Sequence, residues 1–292
     1  MTSIVFPGQG SQYLGMGKEV LETNPEYYEY LNKVKMLTGI DIESIIFGSS
    51  EEELVKTQNA QLAILCISYI KFLYATHKQG IRPDVVAGHS VGEWTALVAC
   101  GAVSFEQAVS MVYLRGKYMS QSESNNQGSM AAVLGLDSEK VTAELKKYPD
   151  VVVANYNSPV QIVISGEKNQ LFRVSEDLRT AGAKKVVQLK VSGPFHSPFM
   201  EQASRQLAQD IQSIEFCDPE IPIVQNVSAK FETDKKIIKE NIIKQITYPV
   251  RWTESIQVKL SAGVKKFVEA GPGKVLTGLI KAISKEPELI NI

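Results

Sequence analysis

The stretch Val85-Val86-Ala87-Gly88-His89-Ser90-Val91-Gly92-Glu93-Trp94 limits what this chain can fold into more than any other part of it. Two apolar residues run into Gly-x-Ser-x-Gly and a helix-forming segment follows at once, the pattern of a nucleophile elbow. Such a bend exposes a serine hydroxyl at the tip of a tight strand-to-helix turn, and glycines two before and two after leave room for close backbone approach. The helix behind Ser90 offers unpaired N–H groups and the positive end of its dipole to a nearby oxyanion. Acyl transfer uses both. The strand before and the helix after separate this stretch from a glycine-rich turn that merely contains serine.

With 292 residues the chain exceeds the usual single-domain size, so one large domain carrying an insertion, or two domains, is expected. A hydrophobic fraction of 44%, a charged fraction of 22% and a net charge of -1 argue against disorder, a nucleic-acid surface and a polybasic membrane patch. No apolar run approaches the roughly 20 residues of a membrane span, and no signal-peptide pattern opens the chain, so a cytoplasmic protein is expected. Cys66, Cys100 and Cys217 stand far apart in apolar surroundings and read as reduced core residues, with no zinc or redox motif.

Ser3-Ile4-Val5-Phe6 reads as a buried strand that empties into Pro7-Gly8-Gln9-Gly10-Ser11-Gln12. A dinucleotide fingerprint fails because Tyr13 stands where the third glycine belongs, and a P-loop fails for want of its Gly-Lys-Ser/Thr ending. Glycines on both sides of Gln9 permit its N–H to face a ligand, as a second oxyanion donor beside the N–H of Val91; an ordinary strand-to-helix turn has the same composition. Residues 17–80 look helical, with Leu62–Tyr74 a core helix. Gly101 reads as a C-terminal cap and Ser104-Phe105-Glu106-Gln107 as a capping box. In the helix that follows, Phe105, Ala108, Val112, Arg115 and Met119 share one face, so Arg115 points inward. A buried guanidinium needs an anion, either an internal carboxylate or the carboxylate of a substrate.

The polar run 122–127 reads as a linker. Beyond it, strands at 130–136, 151–155, 160–165 and 185–191 alternate with helices at 138–147 and 170–181, with a turn at Asn157-Ser158-Pro159. The order βαββαβ is that of a ferredoxin-like unit, residues 126–192, inserted into a larger α/β domain made of residues 1–125 and 193–292. The crossings near residues 126 and 192 place a cleft beside Pro194-Phe195-His196-Ser197-Pro198. The chain has three histidines. His77 sits in a polar segment at a helix end and His89, directed differently by the bend, suits a supporting role, which leaves His196 as the candidate base for Ser90, with a structural histidine as the alternative.

At this point the motifs carry a family resemblance. Gly8-Gln9-Gly10-Ser11-Gln12, Gly88 to Glu93, Arg115-Gly116-Lys117, Asn155 with Asn157-Ser158-Pro159, Phe195-His196, Pro249-Val250-Arg251-Trp252 and Gly271-Pro272-Gly273-Lys274-Val275-Leu276 resemble, in order, the signatures of malonyl-CoA:acyl-carrier-protein transacylases. The resemblance covers residues 3–284. It implies an α/β-hydrolase-like large domain with a ferredoxin-like small one, and a Ser90–His196 dyad in which the backbone carbonyl matching Gln245 orients the imidazole. It further implies an oxyanion hole from the N–H groups of Gln9 and Val91, Arg115 on the malonyl carboxylate, and Gln61 and Asn155 as pocket residues. The implied reaction moves malonyl from malonyl-CoA to the phosphopantetheine thiol of an acyl carrier protein, with no bound cofactor or metal.

Two other classes share parts of this pattern. An acyl hydrolase or thioesterase would use the same elbow but has no use for Arg115, and typical α/β-hydrolases keep the order Ser, Asp/Glu, His with histidine near the end. A docking protein that kept the fold would need neither nucleophile nor base. Within the transferase reading, Phe195 stands where a serine is expected in the fatty-acid enzyme and resembles malonyl-selective polyketide acyltransferases, which favours a trans-acting polyketide role over housekeeping fatty-acid synthesis.

Overall fold

A computed structural model describes residues 1–121, 128–189, 191 and 193–292. The linker expected at 122–127 and both crossing points lie outside them. Among the described residues the strands are β1 (Thr2–Phe6), β2 (Val85–Gly88), β3 (Gly128–Leu134), β4 (Val151–Ser158), β5 (Gln161–Glu167), β6 (Lys185–Gln188), β7 (Ile223–Val224), β8 (Phe231–Glu232), β9 (Lys266–Glu269) and β10 (Glu288–Asn291). They form a six-stranded sheet in the order β10-β9-β1-β2-β7-β8 and a four-stranded sheet in the order β4-β5-β3-β6. In the first, only β8 runs antiparallel to its neighbour; the second is antiparallel throughout. The chain is therefore mixed α/β.

The large sheet is buried on both faces, as its parallel strands require. Along β1 and β2, Ile4, Phe6 and Val86 face one apolar cluster, while Val5, Val85 and Ala87 face the other. The first cluster is closed by α1 (Lys18–Thr23), α2 (Tyr28–Thr38), α3 (Ile42–Phe47), α4 (Glu51–Val55), α5 (Thr57–Leu73), α6 (Gly92–Ala99) and α7 (Phe105–Gln121). Helix α5 is buried nearly all round and forms the centre of this layer. The segment expected to be helical over 17–80 breaks into pieces because caps interrupt it. Asp41 and Ser50 accept the N–H groups of Ser44 and Glu53 and start new helices, and Gly39 ends α2 with φ 75°. The capping box is formed: Gln107 N–H donates to Ser104 Oγ at 3.1 Å and Ser104 N–H to Gln107 Oε1 at 2.8 Å.

Helices α8 (Ser138–Leu145) and α9 (Lys168–Thr180) cover one face of the four-stranded sheet around Val133, Ile162 and Ile164. The turn expected at Asn157-Ser158-Pro159 is shorter. β4 continues through Ser158 by means of two register shifts, which leaves Pro159-Val160 as the connection to β5. After β6 the chain returns through α10 (Glu201–Gln212) and α11 (Lys235–Lys244) to the first cluster, then α12 (Trp252–Ser261) and α13 (Val275–Ile283) cover the opposite face of the large sheet. A parallel bridge between Asn155 and Val250 joins β4 to the segment entering α12: Val250 N–H donates to Ala154 O at 2.8 Å, and Tyr156 N–H to Val250 O at 2.9 Å.

Candidate active site

The elbow is built by steric exclusion. A Cβ on Gly88 would lie 1.9 Å from the Gly92 carbonyl carbon, and one on Gly92 would lie 2.3 Å from Phe6 O, so only glycine lets β2 turn straight into α6 beside β1. Between them Ser90 adopts φ 52°, a left-handed conformation that costs a non-glycine residue about 1–2 kcal/mol. His196 shares it, at φ 56°. The two strained residues meet: Ser90 Oγ lies 2.7 Å from His196 Nε2.

Tautomer and orientation of His196 follow from its other nitrogen. Nδ1 lies 2.9 Å from Gln245 O and 3.1 Å from Tyr248 O, both pure acceptors, so Nδ1 carries the proton and Nε2 presents a lone pair to Ser90. Gln245 caps the C-terminus of α11, where carbonyls carry partial negative charge. Burial and then the Arg115 charge push the imidazole pKa down to about 3, which keeps it neutral and able to accept a proton. His89 is occupied elsewhere: its Nε2 sits 2.8 Å from Asn157 Oδ1, with the ring edge-on to Trp252. His77 is exposed.

Arg115 lies within the same cluster. Gly116 lets α7 approach α5 so closely that a Cβ would sit 2.7 Å from Gln58 Cα, which carries Arg115 against Gln61. Its Nη1 donates to Gln61 Oε1 at 2.6 Å, and Nη2 reaches Ser90 Oγ and Gln245 Oε1, each at 3.2 Å. The guanidinium is 1% exposed, and its Nε has no partner among the described residues. The contacts found are neutral oxygens, with Glu93 acting only through its field, and burial brings the pKa down to about 9. The sequence left an internal carboxylate and a substrate carboxylate open as the counter-ion; no such internal contact is found among the described residues.

A cavity of about 340 Å³ opens onto Ser90 and His196. Gln9, Gln61, Asn155 and Phe195 line it, so the residues inferred for the pocket come from four separated segments to one place. The N–H of Val91 has no hydrogen-bond partner among the described residues and stays available as a donor. The Gln9 side chain contacts Gln61 and Thr57 at 3.4 Å. Met130, Leu189 and Val191 supply apolar wall that sequence reasoning did not single out, and Met119, which shares the inward face of α7 with Arg115, joins them. Asn226 was also missed. Its Oδ1 accepts the Ser90 N–H at 2.8 Å and its Nδ2 donates to Gly88 O at 2.6 Å. The one sequence signal for it is an amide pair, Gln225-Asn226, directly after an apolar segment.

This arrangement has the parts of nucleophilic acyl transfer: a hydroxyl, a neutral imidazole in the right tautomer, a free N–H at a helix start and a cation awaiting an anion. Comparison with known proteins agrees. Residues 4–288 match the acyl transferase domain family. A Bacillus subtilis malonyl CoA-acyl carrier protein transacylase is 42% identical over 99% of this chain and 92% of its own length, and a Staphylococcus aureus protein of the same name is 41% identical over 100% and 95%. Among solved structures, a malonyl-transacylase in complex with its type II PKS acyl-carrier protein superposes with a TM-score of 0.96 at 37% identity, over 100% of this chain and 95% of that one. An acyl carrier protein S-malonyltransferase from Vibrio cholerae has the same score and identity, with 100% and 96% covered.

Proposed function

The chain belongs to the acyl transferase family as a malonyl-CoA:acyl-carrier-protein transacylase, and from that premise we propose how its own residues carry the transfer. Ser90 Oγ attacks the malonyl thioester carbonyl while His196 Nε2 takes the hydroxyl proton. The oxyanion is held by the N–H groups of Val91 and Gln9, and Arg115 turns from neutral partners to the malonyl carboxylate. His196 returns the proton to the departing CoA sulfur. In the second half the phosphopantetheine thiol of the acyl carrier protein gives its proton to His196 and attacks the malonyl-serine ester, and His196 hands that proton to Ser90 Oγ as the ester bond breaks. One oxyanion donor contributes about 3 kcal/mol and general acid–base help about 10²–10⁴ in rate, enough for an already activated thioester. No step calls on a metal or bound cofactor.

The observation that carries this reading is the convergence of Ser90 Oγ on both His196 Nε2 and Arg115 Nη2. The test is intact-protein mass spectrometry with malonyl-CoA: Ser90→Ala forms no malonyl adduct, and His196→Ala forms it more slowly by orders of magnitude. A malonyl adduct persisting in Ser90→Ala overturns the assignment. We read residues 1–125 and 193–292 as an α/β-hydrolase-like unit and 126–192 as an inserted ferredoxin-like one; the strand order β4-β5-β3-β6 supports the second. A cytoplasmic setting fits three unpaired cysteines.

The pathway served is a finer matter. Phe195 supports the trans-acting polyketide role, and the Bacillus and Staphylococcus relatives fit housekeeping fatty-acid synthesis at least as well. Malonyl transfer assayed with carrier proteins of both kinds decides it, by the ratio of kcat/KM values.

A further inference from the structure

The elbow's strained backbone is held by side chains distant in sequence. Val224 of β7 pairs with Ala87 of β2, so the next residues, Gln225 and Asn226, fall beside Gly88 and Ser90. There the Asn226 amide fits between two backbone groups of the bend, accepting from Ser90 N–H and donating to Gly88 O. Its own N–H donates to Glu93 Oε2 at 2.7 Å, and Gln225 Nε2 donates to Glu93 Oε1 at 3.1 Å. Gln245 Nε2 closes the other side, donating to Ser90 O at 2.8 Å. Asn226 is 1% exposed and Glu93 fully buried, so water does not replace these bonds.

Taking Ser90 as the nucleophile, as proposed above, we propose that Asn226, anchored by Glu93, is a positioning residue for acyl transfer. It fixes Ser90 at positive φ so that Oγ points to His196 Nε2, and it consumes the Ser90 N–H. The N–H of Val91 is then the elbow's open donor for the oxyanion. Glu93, part of the elbow signature yet with its carboxylate bonded to Gln225 and Asn226 and to neither Ser90 nor His196, acquires its purpose through this chain. Relaxing the bend by about 1 Å would cost on the order of 100-fold in rate with little change in substrate binding.

The test follows malonylation of the full chain by rapid-quench mass spectrometry, with rates expressed per acylatable site from the end-point. Asn226→Ala removes both bonds to the bend, together with the 3.4 Å contact from Gln245 Nε2; Asn226→Asp keeps the acceptor and turns the donor into a second acceptor facing Gly88 O. Both are expected to slow acylation 10- to 100-fold per site, with KM for malonyl-CoA changed less than about threefold. Glu93→Gln should slow the same step and add little on top of Asn226→Asp. A merely structural role lowers the melting temperature and the acylatable fraction without touching the rate per site, so rates within threefold of the unmodified protein in Asn226→Asp and Glu93→Gln overturn the inference, whether or not Asn226→Ala folds. Malonylation of Ser90→Ala in the same series would instead overturn the assignment of the nucleophile.

Discussion

Lys259 is fully buried in α12 with its ammonium nitrogen 3.3 Å from Ser3 Oγ and above the rings of Trp252 and Phe267, at 5.4 and 5.2 Å. Burial, with no neighbouring charge to offset it, lowers its pKa from 10.5 to about 7. Between those values the unfolded chain holds a proton that the folded chain has released, so stability rises with pH there, by about 1.4 kcal/mol per unit. The penalty is complete below about pH 7 and gone above about 10.5; at pH 7.5 some three units remain, roughly 4 kcal/mol. Lys259→Met keeps an unbranched side chain, one atom shorter, and removes the titrating group. Allowing about 1 kcal/mol for the lost hydrogen bond to Ser3 and as much again for the ring contacts, the variant gains about 1–4 kcal/mol at pH 7.5. Urea unfolding at pH 7.5 and 9.5 checks both parts, since the advantage of the variant shrinks by about 3 kcal/mol over those two units. A variant less stable than the parent at pH 7.5, or an advantage independent of pH, refutes the reasoning.

Arg115→Ala should reduce malonyl transfer roughly 10- to 100-fold, the worth of one or two charge-assisted hydrogen bonds, and spare acetyl transfer; equal loss of both would make the arginine structural. Phe195→Ser should narrow the preference for malonyl over methylmalonyl by roughly 5- to 150-fold, because the ring fills space an α-methyl group needs, and competition of the two CoA esters read as acyl-Ser90 masses measures it. With the His196 pKa at about 3, the ring is neutral at every higher pH, so its nitrogen NMR shifts should stay constant from pH 8 to 5.5 with Nδ1 protonated; a titration near 6.5 would contradict the burial argument.

Local sterics wrote much of this site into the sequence. The elbow needs glycine at 88 and 92 whatever surrounds it, and the inward face of α7 marks Arg115 by period alone. His196 could be reached by elimination because histidine is scarce here. Asn226 and the carbonyl of Tyr248 could not, because each acts across more than 50 residues through a backbone group or an amide that carries no pattern of its own. β7 contributes to the same blindness: two residues are too few for an alternation to register, yet their pairing with β2 delivers Asn226. The broken course of residues 17–80 was hidden for the opposite reason, since apolar periodicity continues across caps that end one helix and begin another.

The two-bond bridge at Val250 has a mechanical meaning. Asn155 forms part of the cavity wall and is the very residue through which the smaller sheet is stapled to the segment before α12. The same end of β4 is tied twice more, by His89 Nε2 at 2.8 Å from Asn157 Oδ1 and by Thr253 Oγ1 donating to Tyr156 O at 3.0 Å, so this wall of the cavity is held by side-chain as well as backbone bonds. Met130, on β3, and Leu189, which follows β6 and donates its N–H to Met130 O at 2.9 Å, line the cavity from the part of the smaller sheet that β5 separates from β4. One flank of the cavity is thus anchored through β4 to the segment before α12, while the other is carried by β3 and the residue after β6.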